Sequence, residues 1–347
     1  MKRNNSPASL SIRSVAKVLI PLCFGVLILW LVYRSLNFDE ISDALQRGFN
    51  VWYILLSLLF GLAANVVRGL RWQLLIEPIA EPKPKVINAV LTTLGTYTVN
   101  MALPRAGEIW RCAEEGRYER LPFAQLLGTL FMDRIMDLVA VGTIFSAVLI
   151  GANEFLYRFF ADNRSAFSLP DMGVIFGSMW LYLGCVVVLI LLWVSYRFLR
   201  HTKPIRKVIE LVSKVLQGLY TIWRMKHKWL FLFYTVLLWL GYFFYFYITF
   251  WAFDFTADLG VGVGAVAFTM GSIAMAVPVQ GGIGAWHFMI INTLMAYGVT
   301  KVDAATFALV VHTVQTLWIT LVGFVAIILL PFANKRYRRL QTSETNT

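Results

Sequence analysis

"LPRAGEIWRCAEEGRYERLP", residues 103–122, decides how this chain is folded. It sets eight charged side chains (Arg105, Glu108, Arg111, Glu114, Glu115, Arg117, Glu119 and Arg120) between apolar runs of membrane grade. A spanning helix does not tolerate that density, because each charge at the centre of the hydrocarbon costs roughly 3 kcal/mol or more. An ordinary loop has no need of Pro104 and Gly107 directly after an apolar run such as "VLTTLGTYTVNMA", residues 90–102. The stretch reads as the tip and returning arm of a broken helical hairpin.

The rest of the chain sets the solvent for that hairpin. Of 347 residues 59% are hydrophobic and 15% aromatic, and the mean hydropathy is +0.67. That composition belongs to a polytopic helical membrane protein. The net charge of +12 does not mark a nucleic-acid binder, because the basic residues cluster between apolar runs instead of spreading over one domain. They act as orientation signals and as contacts for anionic lipid headgroups. Cys23, Cys112 and Cys185 are far apart, with neither disulfide nor zinc spacing.

Apolar runs of spanning length, about 20 residues, lie near 15–36, 51–76, 123–152, 172–199, 229–252 and 302–330. The first is too long for a signal-peptide core and lacks a small-residue cleavage site, so it reads as a retained span. Two further runs differ. Residues 86–103 end at Pro104, and residues 261–277 end at "VPVQGGIGAWH"; each is followed by a second helical piece, 106–118 and 284–298. Either could be a short span or a re-entrant hairpin.

Loop charge separates these alternatives. Segment 200–228 carries Arg200, Lys203, Arg206, Lys207, Lys214, Arg224, Lys226 and Lys228, whereas 153–171 carries Arg158 and Arg164. The N-terminal segment, residues 68–85 and the C-terminal segment are also basic, and all four basic stretches are expected in the cytoplasm. Every loop is satisfied by about six full spans plus two opposed re-entrant hairpins, 86–118 entering from inside and 261–298 from outside. The expected fold is therefore an all-α polytopic membrane protein with an inverted repeat, a transporter-type signature. One membrane domain over 15–332 lies between cytoplasmic tails 1–14 and 333–347. Within 203–226, apolar residues at helical spacing face away from Arg206, Lys207, Lys214 and Arg224. This is either a helix lying in the headgroup plane or a linker packed on its own protein.

Several groups point to chemistry. The arm after Pro104 starts at about Ala106, where free backbone N–H groups and the helix dipole favour an anion, with Arg105 beside them. Arg105, Gly107, Glu108 and Arg111 are the candidate headgroup residues. In "FMDRIMDLVA", Asp133 and Asp137 share one helical face, and Arg134 can pair with Asp137. They line a path or staple the helix to Arg105 or Arg111. Arg68 and Arg71 read as boundary anchors that snorkel. In the second half, Pro278, Gly281, Gly282 and Gly284 form the turn; His287 follows it, and His312 and Gln315 share a face of the last span. No HExxH, Walker A, GxSxG or DxD pattern is present, so neither metal nor cofactor is expected.

"NMALPRAGEIWR", "DRIMDL", "PVQGGIGAWHF" and "ALVVHTVQTLWITLVG", in this order, resemble the lysylphosphatidylglycerol synthase transmembrane-region family of flippase-like membrane proteins. The resemblance covers about residues 15–332. It implies a domain that moves a charged lipid between leaflets, an anionic or modified phospholipid or a polyprenyl-phosphate-linked one. The family's turn falls on Asn100, Pro104, Gly107, Glu108 and Arg111, its acidic span on Asp133, Arg134 and Asp137, and its glycine turn on Gly281, Gly282 and Gly284. His287 stands where many members have a glutamate, and His312 where many have an arginine. The family's aminoacyl-transfer domain has no counterpart here, so the enzyme half of the family name is not expected of this polypeptide alone. The alternative reading is a membrane-embedded transferase acting on a lipid-linked donor, with Glu108 or Asp133 as base, or a membrane partner of such an enzyme. The expected partners are membrane lipids and, in an alternative reading, a separate transferase; the expected location is the cell membrane.

Overall fold

The computed structural model describes residues 38–46, 48–103, 105–151, 225–275, 277 and 279–334, with the isolated residues 27, 30 and 34. The expected spans 15–36 (beyond the isolated residues) and 172–199, the basic segment 203–224, Pro104, Pro278 and both tails lie outside the described residues, apart from the tail's Ala333 and Asn334.

Among the described residues the regular elements are helices: α1 Phe38–Gln46, α2 Val51–Ile76, α3 Val86–Ala102, α4 Ala106–Glu119 and α5 Phe123–Gly151 in the first half. The second half has α6 Lys228–Tyr247, continued by a 3₁₀ turn Ile248–Ala252, then α7 Asp254–Ala257, α8 Val261–Ala274, α9 Ala285–Ala296 and α10 Lys301–Ala333. Three are long and apolar enough to cross a membrane: Val51–Ile79, Lys228–Ala252 and Lys301–Ala333. Two of their starts are encoded locally. Asn50 accepts from the Trp52 N–H at 3.0 Å; Thr300 accepts from the Asp303 N–H at 3.2 Å, while its hydroxyl donates to the Asp303 carboxylate at 2.8 Å. The chain divides into two compact units, residues 1–133 with 230–347, and residues 134–229.

The first unit is built around α10, which packs along α3, α9, α1 and α2. With 33 residues it is about 50 Å long, so its two ends are well separated. At its C-terminal end, Asn334 and Asn88 exchange amide hydrogen bonds. Lys85 Nζ reaches Asn334 at 3.0 Å, while the Lys85 N–H and the Asn88 amide donate to Glu119. The start of α3 and the end of α4 therefore meet beside the end of α10: α3 and α4 form a hairpin. α3 has 17 residues, about 25 Å, too short to cross 30 Å of hydrocarbon upright.

A second hairpin, α8 and α9, opens toward the other end of α10. There Phe307 sits among Phe246, Phe250 and Phe253, with centroids 5.2–6.0 Å apart, in a core shared with Leu259, Val263 and Val299. The hairpin tips approach one another. A Cβ on Gly281 would lie 3.5 Å from Met101 Sδ at the end of α3. Both tips lie against the middle of α10: Thr98 donates to the Thr320 carbonyl at 2.6 Å, and His312 donates to the Gly281 carbonyl at 2.9 Å. In the second unit, Arg134 donates to Asp137 at 3.3 Å one turn along α5.

Candidate functional site

The polar residues of the first unit gather in two places. The larger surrounds Asp133, fully buried ten residues into α5, roughly 15 Å from its start. Arg71 of α2, also fully buried, donates to Asp133 Oδ1 from Nε at 3.0 Å and from Nη2 at 2.6 Å. Arg68, one turn earlier on α2, stands 3.8 Å from Oδ2, and Arg111 of α4 stands 4.0 Å from it. Both exceed hydrogen-bond length.

Neighbouring side chains fix these guanidinium groups. Arg111 lies over the Trp72 ring at 3.7 Å, a cation–π stack, and the Trp72 indole N–H donates to Thr129 at 3.1 Å. Arg68 donates to the Tyr242 hydroxyl at 3.1 Å. Tyr242 donates to Asn65 at 2.9 Å and lies 3.2 Å from the Tyr97 hydroxyl. On the same arm as Arg111, the buried Glu115 accepts from Thr92 at 2.9 Å. Asn65, Arg68 and Trp72 recur at three- and four-residue spacing, so one face of α2 supplies this polar wall.

The tip of the first hairpin has its own geometry. Arg105, exposed, adopts φ 62° at the start of α4, an unusual conformation for a residue with a Cβ. The Gly107 N–H donates to Asn100 Oδ1 at 2.8 Å, so Asn100 takes one of the backbone donors that sequence reading offers to an anion. Gly107 is a glycine because any Cβ there would run into the Thr96 carbonyl and Asn100. Glu108 is half-buried in the first turn of α4.

The smaller site is the second tip. Gly281, Gly282 and Gly284 have φ of 60°, 73° and 82°, a left-handed path that favours glycine. His287 and His312 are both buried, with ring centroids 4.6 Å apart and Trp286 5.1 Å from His312. Because a carbonyl only accepts, the contact to Gly281 makes His312 Nε2 the protonated nitrogen. One turn on, Gln315 donates to the Tyr245 carbonyl at 2.7 Å, and Tyr245 returns a bond to the Gln315 carbonyl at 3.1 Å.

Most residues singled out in the sequence fall into four groups: Arg111 with Asp133, Asn100 with Gly107, Arg134 with Asp137, and His287 with His312 and the Gly281 turn; Arg105 and Glu108 stand at the start of α4, and Gln315 pairs with Tyr245. Arg68 and Arg71, read in the sequence as boundary anchors, are buried instead. Their spacing with Asn65 on an otherwise apolar face was the signal. Tyr97, Tyr242 and Glu115 carried none.

The family model described as "Lysylphosphatidylglycerol synthase TM region" matches residues 16–323. No curated protein and no solved structure matches the chain.

Proposed function

We propose, from the premise that the chain belongs to the lysylphosphatidylglycerol synthase TM region family, that it translocates an anionic or modified lipid between leaflets. The chain is a multi-pass helical membrane protein, and its family is tied to lipid modification or transport. The observation that carries the reading is the pair of hairpins that open toward opposite ends of α10 and bring their tips together at Met101 and Gly281. Interrupted helices meeting part-way through a bundle are how carriers build a site that is reached from either side. In this reading the two hairpins belong to an inverted repeat within about six spans, with both termini cytoplasmic in the cell membrane.

Arg105, Gly107, Glu108 and Arg111 receive the headgroup on the first hairpin. Asn100, Asp133, His287, His312 and Gln315 border the route. Buried ionisable groups at membrane depth favour a functional role over a purely structural one. Rocking of one hairpin against the other exposes the route alternately, and the meeting of the tips sets when it is closed.

The test is leaflet exchange in liposomes, with headgroup-labelled phosphatidylglycerol and a labelled polyprenyl phosphate. The double variant Met101→Cys, Gly281→Cys is compared reduced and oxidised. Exchange by wild type and by the reduced variant, stopped by oxidation, supports the reading. No exchange above protein-free vesicles with either lipid overturns it and favours a docking or transferase role.

A further inference from the structure

We infer that Glu115 of α4 is a reversible proton-binding site: neutral, it clasps α4 to α3 through Thr92, and on losing its proton it releases the arm. The use of the site rests on the translocation reading, in which it makes the proton the coupling ion of the carrier.

Three observations carry it. First, the two protonation states bond differently at Thr92. Its Oγ1 lies 2.8 Å from the Asn88 carbonyl and 2.9 Å from Glu115 Oε2. A hydroxyl has one proton, and a carbonyl only accepts. With a carboxylate at 115, that proton has two acceptors to serve. With a carboxylic acid, Glu115 donates to Thr92 and Thr92 donates to Asn88, so both short contacts are full hydrogen bonds.

Second, the carboxyl has little else to hold a charge. Glu115 is fully buried, and among the described residues Thr92 is its one hydrogen-bond partner, with none on Oε1. Burying a charge with so little compensation is costly. A glutamine here would donate to Thr92 permanently; the carboxyl adds the ability to let go.

Third, the site lies one turn from the open end of the hairpin. Glu119, half-buried four residues on, accepts from the Lys85 N–H and the Asn88 amide. A proton leaving Glu115 therefore reaches water past Glu119, about 6 Å along the same helix face. The charged and titratable groups around Glu115 are Glu119, Arg111 and Cys112 on α4. Asp133 of α5 lies beyond Arg111 at 4.0 Å, Lys85 of α3 lies beyond Glu119, and α10 presents the neutral Asn334. Deprotonation sets two like charges four residues apart, which is itself unfavourable, and loosens the bond to α3. The freed arm is the one whose hairpin tip meets Gly281, the element that rocks in the translocation reading.

The test has two arms. In detergent, infrared difference spectra recorded while the pH is raised should show a protonated-carboxyl band lost from wild type. The band should be kept in Glu114→Gln, a half-buried neighbour, and missing from Glu115→Gln. Thr92→Val should move it to the position of an unbonded acid. In liposomes, exchange of headgroup-labelled phosphatidylglycerol is followed with and without an imposed pH gradient. Wild type and Glu114→Gln should change rate several-fold with the gradient, a change that a protonophore abolishes, whereas Glu115→Gln exchanges at one rate throughout. Absence of a Glu115-dependent band that titrates overturns the proton site, and a band unmoved by Thr92→Val overturns the clasp. A gradient response kept in Glu115→Gln, or a wild type that exchanges lipid indifferently to the gradient, overturns the coupling. The translocation reading fails separately: a wild type with the titrating band but no exchange above protein-free vesicles refutes transport and leaves Glu115 as a proton-dependent clasp.

Discussion

The two hairpins of the first unit solve one problem with different chemistry. Each interrupts an apolar helix inside the bundle and must satisfy the backbone groups that the break releases. The α3–α4 hairpin does so with a side chain, Asn100 capping Gly107, and surrounds its returning arm with full charges: Arg111 beside Asp133 and the α2 arginines. The α8–α9 hairpin uses glycines at positive φ and a neutral ring, His312 donating to the Gly281 carbonyl, with His287 packed beside it. One half of the bundle is therefore built to hold charge and the other to turn the chain with little of it. The difference gives the pair of hairpins a charged member and a neutral one.

The widest separation between the halves is expected from deleting Asp133. Asp133→Ala leaves three guanidinium groups without their shared carboxylate, a loss of about 3–5 kcal/mol for breaking a buried ion pair. The midpoint of thermal unfolding in detergent should fall well below that of any single substitution at the second tip. A stability within error of wild type would show that Asp133 does not hold α2 and α4 to α5.

The glycines sharpen the comparison at the next level. Gly107→Ala puts a methyl group against the Thr96 carbonyl and Asn100, and overpacking of this kind costs about 1–3 kcal/mol. Gly281→Ala meets no atom closer than 3.5 Å and bears only the left-handed conformation, about 1 kcal/mol. The same melting experiment should rank them in that order. The reverse order would mean that backbone strain, not close approach, governs the first tip.

Much of this architecture is legible in the sequence because short-range chemistry writes it. Pro104 and Gly107 after an apolar run mark one break, the Gly281–Gly284 cluster marks the other, and Asn50 and Thr300 mark helix starts. The lengths of α2, α6 and α10 follow from hydropathy alone. The partners of the charged residues are less legible. Asp133 is 62 residues from Arg71 and 22 from Arg111, and nothing local states which guanidinium it meets. Arg71 lies five residues from the end of its helix, where a snorkelling anchor and a buried ligand share one sequence pattern. The Tyr242, Asn65 and Tyr97 contacts arise only from packing α6 against α2 and α3. Tertiary choices of this kind leave no periodic trace.

An effect as small as that of Gly281→Ala is expected at the histidine pair, and it separates the two halves most finely. His312→Phe keeps a ring of similar breadth against Trp286 and His287 but removes the donor to the Gly281 carbonyl. A lost hydrogen bond of this type costs about 1 kcal/mol. The carbonyl lies in a glycine turn, where it can rotate to find another donor. Thermal unfolding of His312→Phe in detergent should therefore show a modest drop, smaller than that of Asp133→Ala. A loss as large as that of Asp133→Ala would make the histidine a structural keystone and remove the contrast between the halves. The small loss leaves the second tip as a turn whose His312 tether to α10 is weak enough to break and reform, as the proposed rocking of one hairpin against the other requires.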